Sequence, residues 1–92
     1  LTEDAREEEL GRALSLVERT IEVGEPRNLQ GQAWFAKGEI LSDLKRCEEA
    51  MEAYARVREV EGSGPLVERA QERYDEIRFG RGLEDLRGGR CR

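Results

Sequence analysis

The chain has 92 residues, 40% of them charged and 5% aromatic, with a net charge of −5 and no histidine. That is the size of one small domain, with a core built from narrow apolar stripes on polar helices. No apolar run is long enough to span a membrane, no secretory leader is recognisable, and histidine chemistry is excluded. Because the sequence starts at Leu1 rather than Met, it reads as a processed or partial piece of something longer. The charge is uneven: residues before Arg78 carry eleven basic and nineteen acidic side chains, a balance of −8, and the remainder carries five and two, +3. An acidic body with a basic tail argues for protein partners rather than nucleic acid.

The first helix is expected over about 3–23. Thr2 is a plausible N-cap, and Glu3, Asp4 and Glu7 to Glu9 place negative charge where a helix N-terminus favours it. Leu10, Leu14, Val17 and Ile21 then recur at helical spacing. Gly24 closes that helix and Pro26 prevents continuation. The acidic run is read as a solvated face.

Two further helices are expected over about 29–43 and 46–61. Trp34, Gly38 and Leu41 share a face of the former, and Ala50, Tyr54 and Val57 share a face of the latter. A bulky Trp one turn from a Gly reads as a knob beside a hole, so the two segments should pack closely as an antiparallel hairpin. The connector, Ser42 to Arg46, is short enough for that. Gly62-Ser63-Gly64 breaks the chain. Pro65 opens a fourth helix over about 66–79, striped by Leu66, Ala70, Tyr74 and Ile77. Gly80, Gly82, Gly88 and Gly89 are expected to end regular structure, leaving a Gly/Arg-rich tail over 80–92. Within it, Leu83 and Leu86 are read as one short docking turn.

Trp34, Gly38, Leu41, Ala50 and Tyr54 fall where the tetratricopeptide repeat family places its Trp, Gly, large apolar, Ala and aromatic positions. The chain resembles that family over one full repeat, Gly31 to Gly64, about a third of its length. Departures are Lys37 at a usually apolar position, Val57 for a usual Ala, and a closing proline about three residues late. The alternative is an ordinary helical hairpin in a bundle.

The chain also resembles itself at an offset of 37: Ala13, Arg19, Glu22 and Val23 meet Ala50, Arg56, Glu59 and Val60, and Leu29, Ala33, Glu39 and Ile40 meet Leu66, Ala70, Glu76 and Ile77. The expected fold is therefore all-α, about four helices stacked as a short solenoid, occupying 1–79. In order these are a second-helix half-repeat, a complete repeat and a capping first helix. The pattern from Pro65 to Tyr74 also resembles, slightly, closing helices of such repeats in bacterial cell-envelope proteins.

The resemblance implies a non-catalytic interaction module that holds a peptide or partner helix along its first helices. The groove positions it implies are Gln32, Phe35, Glu39, Ser42 and Asp43. The internal offset adds Arg69, Glu72 and Glu76. With Arg69 as the one cation, such a face disfavours a terminal carboxylate and favours a basic or neutral segment set against Phe35. The alternative is a structural subunit, or a fragment of one, whose repeat ends are covered by a larger assembly.

No nucleophile elbow, phosphate-cradling glycine loop or metal-ligand spacing is present, so no enzyme activity, cofactor or metal is expected. Arg87-Gly88-Gly89-Arg90 resembles a single RGG element, a weak signal for RNA. Cys47, at an apolar helix position, reads as a small buried hydrophobe, and nothing in the spacing of Cys47 and Cys91 suggests a disulfide. That favours a reducing compartment and a cytoplasmic location, with a bacterial periplasm or envelope as the alternative.

Overall fold

In a computed structural model, which describes residues 3–87 and the side chains of 4–80, the described chain is all-α. Helix α1 spans Glu3–Val23, α2 Gln30–Asp43, α3 Cys47–Glu61 and α4 Pro65–Arg87, with one 3-10 turn at Arg27–Leu29 before α2. Each helix packs on the next, and α2 also touches α4. Helix α2 is thus the hub, with α1, α3 and α4 around it. Among the described residues, no helix is long and apolar enough to cross a membrane.

The breaks fall where backbone chemistry requires them. Gly24 takes φ +80° at the end of α1, and its N–H donates to the Thr20 carbonyl at 3.1 Å. The connector after α2 is shorter than its expected bounds, because α2 runs to Asp43. Lys45 adopts a left-handed φ of 64°, and the N–H groups of Lys45 and Arg46 donate to the carbonyls of Ser42 and Leu41. This reverse-bonded closure turns the chain back within three residues. Gly62, at φ +83°, ends α3, and Pro65 occupies the first position of α4, where its missing N–H costs nothing. The Glu25–Pro26 peptide bond is cis.

The core lies where α2, α3 and α4 meet. Leu41, Ala50, Ala53, Tyr54, Val57, Ala70 and Ile77 are each at most 2% exposed. Gly38 is buried against Tyr54, and a methyl group placed on it would lie 2.6 Å from Tyr54 Cε1. The close approach of α2 and α3 is therefore as expected, with one correction. The bulk beside Gly38 is the Tyr54 ring. Trp34 is half-buried at the edge, with Lys37 Nζ 5.1 Å and Arg56 Cζ 5.5 Å from its ring centre.

Helix α1 is held more thinly. Of the expected stripe, only Leu14 is buried; Leu10, Val17 and Ile21 are half-buried. Two polar ties to α2 assist: Lys37 Nζ lies 3.3 Å from Glu18 Oε2, and Gln30 Nε2 donates to the Thr20 carbonyl at 3.1 Å.

Helix α4 overruns its expected end. Gly80 and Gly82 do not stop it, and Leu83 and Leu86 lie within it rather than in a separate turn. Each glycine costs the helix about 1 kcal/mol relative to Ala. Arg78, Arg81, Leu83, Glu84, Leu86 and Arg87 are good helix formers, and a helix already fixed by buried Val67, Ala70 and Ile77 gains a bond with each added residue. Residues 88–92, and with them most of the RGG-like element, lie outside the described residues.

Cys47, at the start of α3, is half-buried and disulfide-bonded, which overturns its reading as an unpaired hydrophobe. Two isolated cysteines carry no spacing signal, because pairing is decided by the folded path.

Candidate functional site

The groove positions lie on α2 and α4, which are neighbours. On α2, residues 32, 35, 39, 42 and 43 fall within about a third of the helix circumference, and on α4 residues 69, 72 and 76 do the same. The structure separates them by exposure. Gln32, Arg69, Glu72 and Glu76 are exposed, while Phe35, Glu39 and Asp43 are half-buried. Ser42 is 5% exposed and faces the core, so it is not presented to a ligand.

Phe35 stacks edge-on against Tyr54, with ring centres 5.6 Å apart at 62°. The Tyr54 hydroxyl donates to Glu39 Oε1. Arg73 on α4 donates to the same oxygen through Nε at 3.2 Å, and its Nη1 lies 3.5 Å from Glu76 Oε1. Burial acts to lower the basicity of the Arg73 guanidinium. The carboxylates of Glu39 and Glu76 outweigh it and hold its pKa above the ordinary arginine value.

Arg73 is the residue that sequence reasoning missed. Arg69 was expected to be the one cation of this face. Arg73 follows it by one helical turn and reaches across to α2, which partly neutralises the acidic strip. The signal was available: on a helix, residue 73 stands beside residues 69 and 76. What spacing did not show is that α4 comes close enough for its arginine to meet Glu39. Asp43 also has an interaction partner, so it is not a spare charge on this surface.

A separate notch of about 240 Å³ lies on the seam between α3 and α4, lined by Tyr54, Ala55, Arg58, Val67, Gln71 and Tyr74. It is not on the expected face, and no motif marked it. Among the described residues no group of His, Cys, Asp or Glu side chains is placed to hold a metal ion.

No family model matches this chain, and neither a curated protein nor a solved structure matches it. The internal repetition and the packing around α2 are therefore the grounds on which its role is read.

Proposed function

We propose that the protein is a non-catalytic protein-interaction module of tetratricopeptide type, which binds a basic or neutral peptide across α2 and α4. The observation that carries this reading is the composite face: Phe35 and the Glu39–Arg73–Glu76 cluster bring an aromatic ring and fixed charges onto two adjacent helices. Exposed Glu72 and Glu76 supply attraction for a cation at its edge. The packing of Tyr54 against Gly38, and the repetition at an offset of 37, support the repeat reading.

Cys47 being disulfide-bonded favours an oxidising setting such as a periplasm or envelope over a reducing cytoplasm. The test of the peptide reading is an array of random peptides probed with the intact oxidised protein at low salt. Enrichment of basic or neutral apolar sequences is expected, and the enrichment should fall for Glu72→Lys with Glu76→Lys. Enrichment of acidic sequences, or no difference between the two proteins, would remove this face from the function.

A second reading is favoured by one observation. Leu16, on α1, is 69% exposed, and a surface Leu beside exposed Val23 fits a subunit or fragment whose N-terminal helix is covered in a larger assembly.

A further inference from the structure

The notch on the seam of α3 and α4 has no part in the peptide-binding face. Of its lining residues, Tyr54, Ala55, Val67 and Tyr74 are aromatic or aliphatic, and Arg58 is the single charged side chain. Arg58 is exposed, and among the described residues it is in no ion pair, in a chain with 21 acidic residues against 16 basic. Gln71, the remaining polar residue, donates along its own helix to Asp75 at 3.1 Å. The internal repeat explains why the seam is open. At an offset of 37, Ala55 and Tyr74 correspond to Glu18 and Lys37. That pair bridges α1 and α2, with Lys37 Nζ 3.3 Å from Glu18 Oε2. Between α3 and α4 a methyl group stands in place of the carboxylate and a phenol in place of the amine. No corresponding bridge forms, and Arg58 has no carboxylate opposite it.

We propose that this notch is a binding site for a small aromatic monocarboxylic acid, with its ring against Tyr74 and Val67 and its carboxylate paired with Arg58. Size excludes a longer occupant: about 240 Å³ is below the drug-sized range of about 300–1,000 Å³ and suits one ring with its acid group. Charge sets the anion. A planar guanidinium receives a carboxylate through two parallel N–H bonds. It neutralises a monoanion but leaves a phosphate dianion with uncompensated charge beside an acidic body, and it repels a cation. The ring follows from the walls, since a tyrosine ring offers edge-on or offset stacking that a ringless acid cannot use.

This inference does not rest on the peptide-binding face, whose preference is for cations. Its test titrates the whole isotope-labelled oxidised protein with phenylacetate, using phenethylamine and acetate as controls. Phenylacetate should give saturable amide shifts centred on Ala55, Arg58, Val67 and Gln71, in the millimolar range expected of so small a ligand. Acetate should bind about tenfold more weakly, for want of the ring. Arg58→Met should weaken phenylacetate about tenfold or more, by removal of a charged hydrogen-bond donor. Arg58 is exposed, so the variant should keep its melting curve, which is recorded in parallel. Five results overturn the inference: no saturable shift with phenylacetate, an equal response to phenethylamine, equal affinity for acetate, affinity unchanged by Arg58→Met, or shifts centred on Phe35 and Glu72. None of the first four touches the peptide-binding face, so the two readings fail separately.

Discussion

Helices α1 and α3 occupy equivalent places in an internal repeat, yet one is buried on two sides and the other on one. Helix α3 contributes Ala50, Ala53, Tyr54 and Val57 to the core, each at most 2% exposed, whereas α1 contributes Leu14 alone, at 7%. Their sequences are similarly polar, so composition does not separate them. Most of a helix's stability in a protein comes from packing of its apolar face. The comparison shows that in a stacked arrangement this packing is set by the number of neighbours as much as by the helix's own residues.

The largest test of this comparison is a pair of truncations. Leu41, fully buried at the α2 hub, should lose about 2–5 kcal/mol on change to Ala, since the three surrounding helices cannot all collapse into the space. Leu14→Ala should cost no more than the lower end of that range, because α1 can settle onto α2 with no second neighbour to resist it. Denaturant melts of both variants decide the matter. Equal losses would mean that α1 is held as firmly as α3.

A smaller effect is expected at the glycines of α2. Gly38→Leu should cost about 1–3 kcal/mol by overpacking, although helix propensity alone favours it. The Tyr54 ring cannot yield, because it is 2% exposed, stacked on Phe35 and hydrogen-bonded to Glu39. Gly31 makes a control. The atoms nearest to a methyl group there belong to the side chain of Glu61, which is exposed and can rotate away. Gly31→Ala should therefore be near neutral. A melting temperature raised by Gly38→Leu would contradict the close approach of α2 and α3.

Much of this was legible before any coordinates. Gly24, Gly62 and Pro65 mark helix ends through backbone chemistry that acts within a few residues, and those ends were placed to within a residue or two. Leu41, Ala50, Tyr54 and Val57 followed from period alone. Two of the misses share one cause: they depend on contacts that local spacing does not reveal. The Arg73–Glu39 bond joins residues 34 apart, and the Cys47 disulfide depends on where the chain returns. The continuation of α4 through Gly80 and Gly82 has a different origin, since cooperative propagation from a packed half outweighed two local penalties. Of the expected groove positions, Glu39 and Glu76 meet through Arg73, which was not among them, and Ser42 turns inward.

The ion pairs sharpen the comparison further. Arg73→Met keeps the apolar stem and leaves Glu39 bonded only to Tyr54 among its described hydrogen-bond donors. The cost should be about 1 kcal/mol, at the low end for a charged hydrogen bond, because both side chains keep roughly a third of their surface in water. Lys37→Met removes the α1 tie to Glu18, a single contact at 3.3 Å with Glu18 46% exposed, and should cost less than about half as much. A larger loss from Lys37→Met would show that α1 is fastened by charge rather than by packing.

The smallest expected effect is a pH dependence at the start of α3. Arg46 meets Glu49 through two bonds of 2.7 Å each, Nε to Oε2 and Nη2 to Oε1. This hydrogen bonding holds the Glu49 carboxyl below its ordinary value of 4.5, against a weaker upward push from burial. In the unfolded chain that restraint is gone, so near the ordinary carboxylate value the unfolded state binds the proton more readily. The pair's contribution is complete above that value and disappears as pH falls through the lower, folded one. Arg46 remains charged throughout, its own pKa raised first by the same bond. Both groups lie at the surface, so the acid-side slope of melting temperature against pH should be shallow, and Glu49→Gln should make it shallower still. On α1 the nearest analogue, Arg12 with Glu8, is one contact of 3.6 Å between side chains 72% and 77% exposed, without the paired geometry of Arg46 and Glu49. If Glu49→Gln leaves the acid limb as steep as before, that paired geometry at α3 is not its source.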